Sequence, residues 1–291
     1  MKLLRVGTAG AERPALLDAE GVLRDLSGVV PDIDGELLAD DAGLDRIRTA
    51  AEAGELPVLD ADGGADAAGL RVGPPVARIG KVVCIGLNYH DHARETGAEP
   101  PAEPVIFFKA ADTVVGPHDT VLVPRGSVKT DWEVELAVVI GRTARYLGSR
   151  EEALAHVAGY AVAHDVSERE FQIERGGTWD KGKNCETFNP LGPWLVTADE
   201  VPDPQALGLK LWVNGELRQD GSTADQIFSV GEVVRYVSQF MTLYPGDVIN
   251  TGTPAGVALG MPEPKPFLRA GDVVELEIEG LGRQRQEFKP A

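Results

Sequence analysis

Apolar residues along this chain fall mostly into short runs bounded by glycine, proline, asparagine or aspartate, the pattern of strands rather than of long helices. KVVCIGLNY (residues 81–89) and PVIFFK (104–109) are two such runs. GDVVELEIEGLGRQRQEF (271–288) alternates apolar and polar positions and predicts two antiparallel strands near the C-terminus. Within KLWVNGELRQ, Asn214-Gly215 is a strong hairpin signal, since both residues tolerate the positive φ of a tight turn. Helical signals are fewer. Ser149-x-x-Glu152, Ser167-x-x-Glu170 and Ser229-x-x-Glu232 each have capping-box spacing. The third opens a helix with Val233, Val234, Val237 and Phe240 on its apolar side. Scattered helices among dominant strands predict an α+β fold.

The first 73 residues read differently. Two short alternating runs, Leu3-Leu4-Arg5-Val6 and Pro14-Ala15-Leu16-Leu17-Asp18, precede a helical stretch rich in Ala, Asp, Glu and Gly. Residues 61–69, ADGGADAAG, have loop composition, and Pro74-Pro75 then stiffens the chain. These features place a boundary between 73 and 78, dividing a small N-terminal domain (1–73) from a larger one (78–291).

Composition narrows the function classes. The 291 residues carry Lys+Arg 28 against Asp+Glu 46, a net charge of −18, which argues against nucleic acid and anionic membranes as partners. No stretch has the ~20 apolar residues of a membrane span, and the N-terminus lacks a signal-peptide h-region. Two cysteines, Cys84 and Cys185, make neither a disulfide framework nor a zinc pattern. A cytoplasmic protein with free thiols is the expectation.

Against that background, KTDWEVELAVVIG (129–141) is anomalous. From Trp132 on it is apolar enough for a core strand, yet Glu133 and Glu135 sit in it with Asp131 in step. Alternation puts the two glutamates on one face, roughly 6–7 Å apart. Like charges that close in a dry setting repel, and a hard divalent cation removes the conflict. A solvated edge-strand face is the plain alternative. Asp165, in AHDVSEREFQIER, is a candidate third ligand at a strand end. If Ser167 caps a helix, Arg169 and Gln172 share one face of it and offer donors to a nearby carboxylate or carbonyl.

LNYHDHARETG places His92 and Glu95 three apart on a helical turn, where a carboxylate can orient a general base; His90 competes on spacing alone. WDKGKNCETFNPLGPWL puts Lys181 and Lys183 in a loop-like segment. Cys185 has no His–Cys pattern around it that would make it a nucleophile. GDVINTGTPAGVALG ends in Thr251-Gly252-Thr253-Pro254, suited to close approach of an anion but without phosphate-loop spacing.

Taken together, VCIGLNYHDHARE, PVIFFK, DWEVELAVVIGRTAR, VAGYAVAHDVSERE, WDKGKNCETFNPLGPWLVT and GTPAGV resemble the fumarylacetoacetate hydrolase superfamily, in family order, over roughly residues 78–285. The resemblance is to longer members, similar to 2,4-diketo-3-deoxy sugar acid hydrolases and to proteins named for ureidoglycolate. It implies a mixed β-roll catalytic domain, a small N-terminal α/β domain and a homodimer. It implies Mg²⁺ or Mn²⁺, with Ca²⁺ as a crystal substitute, held by Glu133, Glu135 and Asp165, with Asp131 excluded. It selects His92 with Glu95 as the catalytic dyad and Lys183 as the active-site lysine. Arg169, Gln172 and Thr253 fall at substrate-binding positions. Glu170 stands where many members carry Asp.

The activity so implied is metal-dependent hydrolysis of a C–C bond in a small 2-oxo acid or 1,3-diketone, of the acylpyruvate or diketo-deoxy sugar acid type. The alternatives are a lyase, isomerase, tautomerase or decarboxylase on a related 2-oxo acid, and, more remotely, a non-catalytic metal- or ligand-binding protein.

Overall fold

The computed structural model describes residues 1–59 and 70–291; the loop-like stretch 61–69 lies outside the described residues. One large sheet organises them. Its strands run in the order Leu23–Asp25, Arg13–Leu17, Lys2–Val6, Asn189–Thr197, Val157–His164, Val134–Ile140, Val248–Asn250, Val82–Gly86 and Val105–Lys109. Val114–Val115 pairs off this path with Asn189–Thr197. Neighbours along the path are antiparallel except Val248–Asn250 with Val82–Gly86, which are parallel.

A second sheet packs against it, ordered Glu216–Ser222, Gly208–Val213, Val273–Ile278, Gly282–Pro290 and Val121–Val123. Both hairpins expected from the sequence are present in it. Asn214 and Gly215 take φ of 51° and 80° at the first turn, as that dipeptide is suited to do.

Side-chain alternation assigns each face of the large sheet to a different core. Leu136, Val138 and Ile140 pack with Leu209, Leu211, Leu276 and Ile278 of the second sheet and with Val233, Val234 and Val237. Ala137, Val139, Ala161 and Ala163 face the other way, toward Leu3, Leu16, Leu26, Ile33 and Ile47. Ile47 is on the helix Asp41–Glu52, in the stretch read as helical.

The helix Val230–Val237 is capped by Ser229, whose hydroxyl accepts the Glu232 N–H, and Ser149 caps Arg150–Leu154 in the same way. Two expectations fail. Phe240 is not on the apolar side of the former helix: the helix ends at Val237 and Phe240 is exposed. Ser167 caps nothing. It lies in a two-residue strand paired with Thr130–Asp131, and its hydroxyl donates to the Asp165 carbonyl. The helical turn after it, Glu170–Glu174, is of π type, and buried Glu168 accepts the Phe171 N–H at its start. No described helix is long and apolar enough to cross a membrane.

Candidate active site

Strand register gathers the carboxylates. Ala163 pairs with Glu135 across the antiparallel ladder, and the Asp165 N–H donates to the Glu133 carbonyl one step further along. Glu133, Glu135 and Asp165 therefore emerge on the same face, where Val134–Ile140 begins and Val157–His164 ends. All three are buried, and they offer ligand oxygens within 4.8 Å of one another. Along the same face Ala137 and Ala163 continue into the hydrophobic core.

Cations brace two of the three. Lys183 Nζ lies 2.7 Å from Glu133 Oε2 and 2.9 Å from Asp165 Oδ2. Arg169 Nη2 reaches Glu133 Oε1 at 2.6 Å and its Nε reaches Asp131 at 2.8 Å. Burial alone would push Glu133 up, but Lys183 and Arg169 outweigh it and hold the carboxyl well below its ordinary value. Glu135 is the opposite case. Its Oε2 accepts the Gly252 N–H at 2.7 Å, and no described Lys or Arg pairs with it. Burial first, then Asp165 and Glu133, push its carboxyl well above the usual range.

Lys109, which the sequence presents only as the end of a strand, completes the cluster. It is buried, and its ammonium donates to the carbonyls of Val166, Lys183 and Phe188 at 3.0, 2.7 and 2.8 Å. Its Nζ is also 2.8 Å from Asp165 Oδ1, yet that oxygen receives no hydrogen bond. The proximity supplies charge while the three protons go to the backbone. Four buried carboxylates, counting Asp131, thus meet three fixed cations. An orphaned oxygen on Asp165, a glutamate lacking a cation partner and an all-oxygen donor set suit a hard divalent ion. Glu133, Glu135 and Asp165 are the residues that could hold it.

Asp131, in step with the glutamates, does something else. It accepts Arg169 Nε and the N–H groups of Ala258 and Leu259, tying the Arg169 turn to the loop beyond Thr253.

His92 closes another side of the same cavity, with Glu95 behind it. His92 and Glu95 lie on the helix His90–Thr96, and His92 Nδ1 is 2.7 Å from Glu95 Oε1. Glu95 is held in turn by the Gly256 N–H at 2.9 Å. A Cβ at residue 260 would sit 2.5 Å from that carboxylate, so Gly260 is needed for the fit. His92 is buried and lines the cavity, whereas His90 is exposed, which separates the two candidates that spacing alone left open.

Lys183 lies not in a loop but on the helical turn Asp180–Lys183, with its ammonium buried; Lys181 is exposed and donates to the Arg175 carbonyl. Gln172 accepts Arg169 Nη1 at 3.0 Å. Arg169 is thus largely committed to protein groups and is less free for a ligand than the sequence implied. The Thr253 hydroxyl donates to the Val134 carbonyl and accepts from Gln219, a hairpin residue that no local motif flags. Cys185 is partly buried, and that burial pushes its thiol up to about 11, which does not suit a nucleophile at neutral pH.

Glu133, Glu135, Arg169, Gln172, Lys183, His92 and Thr253 all line one cavity of about 210 Å³. The remaining wall is apolar. Trp179 stands edge-on to Phe107 with ring centroids 5.5 Å apart, and it packs where a Cβ on residue 86 would lie 2.4 Å from its ring, so Gly86 admits the indole.

A buried carboxylate cluster beside a carboxylate-held histidine, at the end of a mixed sheet, is an arrangement that could support metal-assisted chemistry. Residues 81–289 match the family model described as fumarylacetoacetate (FAA) hydrolase C-terminal, and the chain belongs to the fumarylacetoacetate hydrolase family. A Burkholderia lata protein with a provisional hydrolase name is 52% identical over 291 residues, the whole of both chains. Among solved structures, the chain is similar to 2-hydroxyhepta-2,4-diene-1,7-dioate isomerase from Mycobacterium marinum, at 31% identity and a TM-score of 0.74, covering 100% and 98% of the two chains. It is also similar to maleylpyruvate hydrolase from Sphingobium sp. SYK-6 in complex with manganese(II) and pyruvate, at 29% identity and a TM-score of 0.80, covering all of both chains. These likenesses support an enzyme of hydrolase type with the α+β fold expected from the sequence.

Proposed function

We propose that this protein is a divalent-metal-dependent hydrolase that cleaves a C–C bond in a small 2-oxo acid carrying a second carbonyl, of the acylpyruvate or diketo-deoxy sugar acid type. The observation that carries the reading is that Glu133, Glu135 and His92 line one cavity, with Asp165 clustered beside the two glutamates and Glu95 holding His92 from behind. A bound Mg²⁺ or Mn²⁺ would supply Lewis acidity toward the carboxylate and keto oxygens of the substrate.

The chain's own groups do the rest. Glu95 can only accept at Oε1, so it keeps the His92 proton on Nδ1 and leaves Nε2 basic. His92 takes a proton from water, whose oxygen attacks the distal carbonyl. The bond to the central carbon then breaks, and the enolate leaves toward Lys183, which has two of its three N–H bonds committed to Glu133 and Asp165. The proton on His92 returns to the products. Gln172, its carbonyl spent on Arg169, keeps its amide N–H groups for the ligand, and Thr253 shapes the same wall. A homodimer, with residues 1–73 as an accessory domain, completes the proposal; light scattering tests the first part.

Two measurements test the chemistry. Mn²⁺-loaded protein should hydrolyse an acylpyruvate and lose that activity in excess chelator; undiminished turnover would remove the metal from the reaction. His92→Ala should lower kcat by roughly 10²–10⁴-fold while metal affinity stays within a few-fold. Equal losses in both would make His92 a ligand instead of a base. The likeness to an isomerase supports a second reading, in which the dyad moves a proton on the substrate and no water is consumed; product analysis on a hydroxydienoate separates the two.

A further inference from the structure

The lining of the cavity divides by chemistry. One part carries every charged group: Glu133, Glu135, Arg169, Lys183 and His92. The apolar part is made by Ile85, Leu87, Phe107, Ile173, Trp179 and Leu259, and the two meet where Lys183 Nζ lies 5.0 Å from the centre of the Phe107 ring. The one hydroxyl of the apolar part, on Thr96, already donates to the carbonyls of His92 and Ala93.

Lys183, over Phe107, is held by Glu133 and Asp165, and the cations on the segments flanking the apolar residues have partners of their own. Arg175 pairs with Glu170, Lys129 with Glu174, Lys181 donates to the Arg175 carbonyl, and Lys265 donates to the Leu259 carbonyl. Arg94 is exposed and two residues from His92, which places it on the far side of that helix. The cavity, at about 210 Å³, is smaller than the roughly 300–1,000 Å³ that takes a drug-sized ligand.

From this division we infer the substrate class, resting on the function proposed above: the 2-oxo acid head lies at the carboxylate cluster, and the tail beyond the scissile bond is short, apolar and uncharged. A second carboxylate at the tail would be buried without a counter-cation among the described residues, and the hydroxyls of a sugar-acid chain would be buried against hydrocarbon without partners. Monocarboxylic acylpyruvates fit; 2-oxo diacids and polyhydroxylated 2-oxo acids do not.

Binding tests this without turnover. Mn²⁺-loaded full-length protein is titrated calorimetrically with pyruvate, 2-oxohexanoate and 2-oxoadipate, the last two differing only in a terminal methyl or carboxylate. 2-Oxohexanoate is expected to bind at least about tenfold tighter than both 2-oxoadipate and pyruvate, because the diacid leaves a charge unpaired and pyruvate has no tail. A diacid that binds as tightly as 2-oxohexanoate, or more tightly, overturns the assignment while leaving the head site standing. Failure of all three ligands, pyruvate included, overturns the proposed function along with it. Ile173 is half exposed at the rim of the apolar part. Ile173→Arg should therefore narrow the gap between the two six-carbon acids at least several-fold, and an unchanged gap would show that the tail lies elsewhere.

Discussion

The central strand Val134–Ile140 is buried along its whole length, yet its two faces are made of different chemistry. Val134, Leu136, Val138 and Ile140 form one face, aliphatic throughout and packed against the second sheet. The other begins with Glu133 and Glu135 and continues with Ala137 and Val139. The aliphatic face is stable by itself, because close-packed hydrocarbon needs no partner of special geometry. The carboxylate face is stable only through charges brought from distant segments: Lys109, Arg169 and Lys183. Equal burial on the two sides thus hides a difference in self-sufficiency.

Unfolding measurements on the metal-free protein can break this contrast. Leu136→Ala opens a cavity on the aliphatic face and should cost about 2–5 kcal/mol. Ala137→Leu overfills the site face and should cost about 1–3 kcal/mol. Glu135→Gln should cost the least. Its carboxyl is pushed up in the folded protein, so its contribution to stability is present below its ordinary range and declines as pH rises through the raised value. The glutamine removes that slope and still accepts the Gly252 N–H. In urea unfolding, the variant should match the parent near pH 5 and equal or exceed it at pH 8. Metal affinity should nonetheless fall by about 10²-fold or more, since a charged ligand is lost. A Glu135→Gln protein that is less stable than the parent at pH 8 would show that the glutamate is already satisfied without an ion.

Features carried by neighbouring residues were legible in the sequence. Alternation alone put Glu133 and Glu135 on one face, and helical spacing alone joined His92 to Glu95. The family resemblance then separated His92 from His90 and Lys183 from Lys181, choices that local pattern leaves open. What escaped depends on contacts between segments far apart in the chain. Lys109 looks like a polar strand end because its three carbonyl partners lie on other segments. Gln219 sits in a hairpin, and only tertiary packing brings it to Thr253. Ser167 misled for a related reason. Its spacing to Glu170 fits a cap, but the pairing of Ser167–Glu168 with Thr130–Asp131 claims that backbone first, and Glu168 receives the N–H of the turn instead.

Trp179 has a practical consequence. Its indole forms part of the cavity wall between Phe107 and Gly86, and it is one of only four tryptophans in the chain. Whatever enters that space touches an intrinsic fluorophore, so occupancy is readable from emission quenching or a wavelength shift in unlabelled protein. A Trp179→Phe protein serves as the dark control, and candidate compounds can be ranked optically before any product is identified.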